Sequence, residues 1–340
     1  MRIESSKLEK PPKPCLEIEL KLIVQIPCLN EELTLPATVS DIPLEIEGID
    51  EVEILVINDG STDRTAEVAR EVSVDHIIEF PRNRGLGYAF RAGFDACLKA
   101  GADIIVNTDG DNQYVGRDIA KLVKPIVEGR AEIVIGDRRT DTIEHFSMTK
   151  QTLQKMGSRM ISRLGNLNIP DVASGFRAYT RDAAIQLSTF TDFDHTAEHV
   201  VEAGQKRFAV LSIPIETNSK LRESRLFNNI STFVIRSGLI SLRTYTQYKA
   251  LKIFTIFGGL IFLAGVALGV RFILYLAFSG EGLFHIQSVI LAAILLLAGF
   301  QMFLTGIVAD LIATNRSLLD DALKRIKSIE LDRIEEKGER

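Results

Sequence analysis

The sequence predicts an α/β domain built on a mainly parallel sheet, followed by two apolar helices paired as a C-terminal transmembrane hairpin. Three observations carry this. From residue 20 to 137, short apolar runs rich in Ile and Val alternate with helical stretches, the pattern of a parallel sheet covered on both faces. Near the C-terminus, two uncharged apolar runs each reach the ~20 residues that cross a bilayer. Hydrophobic residues make up 46% of the 340, with 24 Gly and 10 Pro, which excludes wholesale disorder and collagen-like composition.

Taken in order, residues 1–19 are polar, contain three Pro and read as a flexible tail without a charged-then-apolar leader. The α/β domain spans 20–225. Its strands are expected at 20–26, 52–57, 76–80, 103–108 and 132–137, and its helices near 31–40, 63–72, 86–100 and 117–128. Residues 226–252 repeat apolar positions at helical spacing, among them Leu226, Ile230, Phe233 and Leu239, with Arg236, Arg243 and Lys249 between them. This predicts amphipathic helices lying in the headgroup plane. The spans follow within 253–310, at about 253–278 and 286–309, apolar on all sides as buried or lipid-facing helices are. Arg271 lies near the end of the first and can snorkel to the interface. Residues 311–340 form a charged tail, read as a solvated helix.

Lys and Arg flank the hairpin at Arg236, Arg243, Lys249 and Lys252 before it, and at Arg316, Lys324, Arg325, Lys327 and Arg333 after it. The linker between the spans has none. By the positive-inside rule the chain is a multi-pass membrane protein with the α/β domain and both termini cytoplasmic. Cys15, Cys28 and Cys97 form no CxxC pair, in keeping with a reducing compartment. With 40 Lys+Arg against 45 Asp+Glu the net charge is −5, which disfavours nucleic acid as a partner.

Polar clusters follow the first four strands, where open α/β sheets bind ligands. They are Pro27-Cys28-Leu29-Asn30-Glu31-Glu32, Asn58-Asp59-Gly60-Ser61-Thr62-Asp63, Arg82-Asn83-Arg84-Gly85-Leu86-Gly87 and Thr108-Asp109-Gly110-Asp111-Asn112-Gln113. Each has a bland reading: Asp-Gly pairs crowd turns, Thr62 or Asp63 can cap a helix, and Gly85 and Gly87 can simply open one. The functional reading gives Asp109 and Asp111, with Gln113 as a neutral oxygen, to Mg²⁺ or Mn²⁺. Asp59 stands where a carboxylate can meet a ribose or base. No GxGxxG or GxxxxGK[ST] motif is present, which weakens dehydrogenase and ATPase readings.

The order and spacing of the four clusters resemble family 2 glycosyltransferases of the GT-A fold, and specifically their polyprenyl-phosphate branch, which includes dolichyl-phosphate mannose synthases and undecaprenyl-phosphate glycosyltransferases. The stretch from Asp171 through Ser174, Gly175, Phe176 and Arg177 to Tyr179 resembles that family's acceptor-side segment, and Arg222-Glu223-Ser224-Arg225-Leu226 resembles its loop before the membrane helices. The resemblance covers about residues 20–313. It implies that Pro27, Leu29, Glu31, Asp59 and Arg82, with Asp109, Arg222 and Arg225, bind the nucleotide-sugar. Asp109, Asp111 and Gln113 would hold the metal, and Arg177, Ser174 and Arg222 the acceptor phosphate. Asp109, Asp111, Arg177 and Glu198 are then the expected catalytic group. Asn58 stands where the family often has a second Asp, and the QxxRW pattern of processive synthases is missing, which disfavours a polymerase.

The expected activity is inverting transfer of one sugar from a GDP- or UDP-sugar to a dolichyl or undecaprenyl phosphate at the membrane, in a chain able to self-associate. A lipid monophosphate is mostly dianionic at pH 7 and needs no strong general base, whereas a hydroxyl acceptor would need one, with Glu198 the candidate. Transfer to a glycan or glycolipid hydroxyl, a membrane nucleotidyltransferase and a non-catalytic nucleotide-binding scaffold are the alternatives. His195 and His199 read as structural, since no third ligand completes a zinc set.

Overall fold

The computed structural model describes residues 19–72, 74–139, 157–159, 161–187, 195–218, 230–279 and 286–338. Seven strands form one sheet in the order β3-β2-β1-β4-β6-β5-β7. They are β1 (Lys21–Cys28), β2 (Glu51–Asn58), β3 (His76–Glu79), β4 (Ile104–Asn107), β5 (Ile133–Asp137), β6 (Arg177–Thr180) and β7 (Val210–Pro214). β1 pairs in parallel with β2 and β4, β2 with β3, and β5 with β7, while β6 runs antiparallel between β4 and β5. The five expected strands are present within a residue or two. β6 and β7 were not legible: β6 is four residues opening on an arginine, and β7 is an edge strand ending in proline, where a missing N–H is tolerated.

Between the strands lie α1 (Leu35–Ser40), α2 (Thr65–Glu71), α3 (Leu86–Lys99), α4 (Ile119–Val127), α5 (Arg181–Gln186) and α6 (Thr196–Gln205). Alternation along β1 sends Leu22, Val24 and Ile26 to the core under α1, α2 and α4, and Ile23 to the core under α3, α5 and α6. The register places Cys28 beside Asn58 and Gln25 beside Asn107, so the polar loops open on one side of the sheet.

Two long helices follow, α7 (Ile230–Ser279) and α8 (Ile286–Gly338). Both expected spans fall inside them. The separate amphipathic helices expected over 226–252 are not there among the described residues, because α7 runs unbroken from Ile230 into the span. No proline interrupts that stretch, so nothing in it ends a helix. α7 and α8 pack through glycines seven residues apart on each helix: Gly258 faces Gly299, Gly265 faces Ala292 and Leu296, and Gly306 faces Phe254. A Cβ at Gly299 would meet the Cβ of Phe262 at 2.7 Å and the carbonyl of Gly258 at 2.8 Å. Close backbone approach of this kind is how helices associate where lipid removes the hydrophobic drive. The outer faces expose Ile256, Phe257, Leu260, Leu263, Ile294, Leu297 and Phe300. Two buried core helices would not leave this surface bare.

The tail is helical, as expected, but it is not freely solvated. α8 continues to the α/β domain and packs on α3 and α5, where Leu331 is 3% exposed, Lys327 Nζ meets Asp95 Oδ1 at 2.6 Å, and Glu330 pairs with Lys99 at 3.3 Å.

Candidate active site

At the carboxyl ends of β1 and β2, two loops are stitched together by side chains that accept backbone N–H groups. Asn30 N–H donates to Ser61 Oγ (2.9 Å), Glu31 N–H to Thr65 Oγ1 (2.8 Å) and Thr62 N–H to Asn30 Oδ1 (2.7 Å). Asp63 accepts from Glu32 and Thr65. These bonds fix the loop that follows β1, with Pro27 and Glu31 buried and Leu29 half-buried. Asp59 is buried and accepts the N–H of Arg84 at 2.8 Å and of Gly85 at 2.9 Å, so its carboxylate holds the third cluster in place. Gly60, at φ +68°, brings the turn so near the backbone of Arg82 that a Cβ would lie 2.2 Å from the Arg82 carbonyl carbon. Only glycine meets both conditions. Arg82 itself is exposed beside this turn.

The β4 loop carries Asp109, Gly110 and Asp111. Thr34 donates to the carbonyl of Gly110 at 2.7 Å and to Glu31 Oε2 at 2.9 Å, tying it to the first loop. Gly110 packs on Cys28, whose Sγ would lie 2.7 Å from an added Cβ. Asp111 Oδ1 accepts the N–H of Gln113 at 3.1 Å, and the Gln113 carbonyl accepts the N–H of Asn218 at 2.9 Å. The thiol of Cys28 lies at the centre of this arrangement. Burial pushes it well above its ordinary range, and the negative charges of Glu31, Asp109, Asp63 and Asp111 push it further. Carboxylates from all three loops therefore act on this one thiol.

Across from Asp109 stands Gly175. Its N–H donates to the hydroxyl of Tyr114 (3.0 Å) and its carbonyl accepts from Asn107 Nδ2 (2.8 Å), while Asn107 Oδ1 takes a hydrogen bond from Gln25 Nε2. Tyr114 also stacks on Phe176, with ring centroids 4.9 Å apart. The residues of this clamp lie 61 and 68 positions from Gly175, and no local pattern announces them. Arg138, likewise unpredicted, binds Asp171 through Nε (2.7 Å) and Nη2 (3.0 Å). Burial opposes its charge, but Asp171, Tyr114 and Asp109 together hold it firmly protonated.

Arg177 corrects the expectation of a phosphate ligand. Its side chain is 0% exposed, and Nε, Nη1 and Nη2 donate to the carbonyls of Ser174 (2.8 Å), Thr196 (3.1 Å) and Val172 (2.6 Å). It opens β6, so its side chain belongs to the sheet's interior. It ties the Ser174–Gly175 loop to the first turn of α6, which carries the buried Glu198. The hydroxyl of Ser174 is buried without a hydrogen-bond partner among the described residues. Arg222 and Arg225 lie outside the described residues. His195 and His199 sit in an aromatic cluster with Phe90, Phe94 and Tyr179, as structural histidines do. No group of three or more His, Cys, Asp or Glu among the described residues is placed to hold a metal by itself. The two carboxylates Asp109 and Asp111 fit an oxygen-seeking ion that completes its shell with water and diphosphate oxygens.

Residues 23–188 match the profile of glycosyl transferase family 2. The chain is 29% identical to glycosyltransferase AglJ of Haloferax volcanii over 311 residues, 89% of this chain and 96% of that one. It is 30% identical to the uncharacterized protein MJ1222 of Methanocaldococcus jannaschii, over 66% of this chain and 93% of that one. Polyprenol monophosphomannose synthase of Mycolicibacterium smegmatis is 30% identical, over 48% of this chain and 62% of the relative. In architecture the chain is similar to glucosyl-3-phosphoglycerate synthase from Mycobacterium tuberculosis. With that enzyme's uridine diphosphate complex the TM-score is 0.53 at 18% identity, covering 66% of this chain and 80% of the other. With its complex of Mn²⁺, uridine diphosphate and phosphoglyceric acid the TM-score is 0.51 at 19% identity, covering 65% and 78%. The sheet order, the loops gathered at its carboxyl edge and these matches agree: a GT-A-like α/β domain carries the site, and the chain is an enzyme belonging to glycosyl transferase family 2.

Proposed function

We propose that this glycosyltransferase moves a single sugar, with inversion, from a GDP- or UDP-sugar to a dolichyl or undecaprenyl phosphate at the cytoplasmic face of a membrane. The observation that carries the reading is the cleft between two built walls: the stitched loops of β1 and β2 on one side, the clamped Gly175 on the other, and Asp109 and Asp111 between them. The likeness to polyprenol monophosphomannose synthase of Mycolicibacterium smegmatis supports the acceptor class.

In this reading Pro27, Leu29, Glu31 and Arg82 bound the nucleoside pocket, and Asp59 shapes it by holding the Arg84–Gly85 amides. Asp109, Asp111 and Gln113 hold Mg²⁺ or Mn²⁺, which when bound supplies positive charge to the departing diphosphate. Arg222 lies four residues past Asn218, whose side chain donates to the Asn112 carbonyl at 3.1 Å. In this reading Arg222 and Arg225 are assigned to the phosphates of donor and acceptor. Guanidinium forks match phosphate oxygens and stay charged. An acceptor phosphate oxygen attacks the anomeric carbon as the nucleoside diphosphate leaves. That dianion needs orientation and charge neutralisation rather than a strong base, so Glu198, buried in α6, is assigned no proton transfer. Arg177 acts by shaping the Ser174–Gly175 loop. The apolar outer faces of α7 and α8 anchor the enzyme in lipid.

The test is to incubate the full chain in membranes with labelled nucleotide-sugars, polyprenyl phosphate and Mg²⁺ or Mn²⁺. Labelled lipid is expected from one donor and is lost in Asp111→Ala. Absence of labelled lipid with every donor, from folded protein, overturns the reading.

A further inference from the structure

The docked end of α8 is not explained by anchoring, since a membrane hairpin could end at the bilayer surface. The contact is specific. Leu331 is buried where α8 packs on α3 and α5, and two ion pairs lie beside it, Lys327 with Asp95 and Glu330 with Lys99. The pairs also fix a direction. Moving along α8 from Lys327 to Glu330 moves along α3 from Asp95 to Lys99, so the two helices run in the same sense where they touch. α8 runs away from the membrane in this region. The N-terminal end of α3, at Gly85, therefore points back toward it, and Gly85 is the residue whose amide Asp59 holds at the mouth of the cleft.

The spacing is a ruler. At ~1.5 Å per helical residue, Lys327 stands about 26 Å beyond Asp310, the first charge after the span, while Leu86 lies about 14 Å back from Asp95. The cleft mouth then stands about 12 Å from the level of Asp310, just above a headgroup layer some 5–8 Å deep.

We infer that the C-terminal end of α8 is a strut. By docking through Leu331, Lys327 and Glu330 on α3, it holds the cleft mouth facing the bilayer at a height where a lipid-borne phosphate can enter, and Asp95, Lys327 and Leu331 are positioning residues for that acceptor. The inference rests on the polyprenyl-phosphate reading and adds to it a selection by position: the strut matters for an acceptor confined to the membrane and not for one free in solution.

The experiment compares the full-length enzyme in lipid nanodiscs acting on a long-chain polyprenyl phosphate in the bilayer with the same enzyme acting on a short-chain, water-soluble isoprenyl phosphate. Leu331→Asp is expected to cut transfer to the membrane-borne acceptor at least tenfold, mainly through a higher KM. Transfer to the soluble acceptor and the donor KM should stay within twofold. Asp95→Lys should give a smaller loss of the same selectivity, and adding Lys327→Asp should restore it. Independently of activity, Asp95→Cys with Lys327→Cys should cross-link in membranes and keep lipid transfer. Equal losses on both acceptors, no loss on either, or failure to cross-link overturns the strut while leaving the acceptor reading standing. No transfer by the unaltered chain to either phosphate overturns both.

Discussion

The carboxylate of Asp109 lies against the α-carbon of Gly175, close enough that a Cβ there would sit 3.1 Å from Oδ1 and 3.2 Å from Oδ2. Gly175 does not adopt a left-handed backbone, so its lack of a side chain answers to that contact alone. Gly175→Ala is expected to displace the carboxylate by a few tenths of an ångström and lower kcat about tenfold to a hundredfold, because small misplacements at a reacting centre are costly. Steady-state kinetics beside an unchanged circular dichroism spectrum would check this; wild-type turnover would show that Asp109 tolerates movement.

Arg177 spends its donors on three carbonyls in the core. Arg177→Lys cannot reproduce that fork, and buried carbonyls left without donors should cost about 3 kcal/mol in total. A drop in Tm larger than any change in acceptor KM is the expected result. A raised KM at unchanged Tm would instead return Arg177 to the acceptor.

Burial holds His195 and His199 well below the ordinary imidazole range; His199 and Arg177 add to the effect at His195, and Arg177 and Lys206 at His199. The folded protein keeps both neutral, whereas the unfolded chain takes up protons below about pH 6.5. Their contribution to stability is therefore complete above that pH and is lost as pH falls, by up to about 1.4 kcal/mol per unit for each histidine. Thermal melts from pH 7.5 to 5.5 should show the fall. His195→Phe, which keeps a ring stacked on Phe90 and removes the titrating group, should flatten it by about one proton's worth.

Gly299→Leu would drive a side chain into Phe262 and the Gly258 carbonyl. Overpacking of this kind costs about 1–3 kcal/mol, and Phe262→Ala on the facing helix should recover part of it. Melting in detergent of the single and double variants measures the recovery.

How much was readable follows the range of the interactions. The first five strands declared themselves through runs such as Leu22–Ile26, and the four polar loops through their place after strand ends. Asp59 shows the limit: its position was legible, but its hold on the amides of Arg84 and Gly85 was not. Asn107 and Tyr114 were silent because their importance lies in Gly175, far along the chain. In the tail, the single Leu331 that enters the core looks no different in sequence from Leu319, which is 65% exposed. Burial is set by the surface a helix meets, and periodicity cannot name that surface.

Cys28 gives the enzyme an unusual chemical temperament. A sulfur lies directly beneath the reaction chamber, yet its proton is bound tightly and almost none of it is reachable from solvent. Since only the ionised form attacks electrophiles and oxidants, alkylating agents and mild peroxide should leave this thiol untouched while the fold holds.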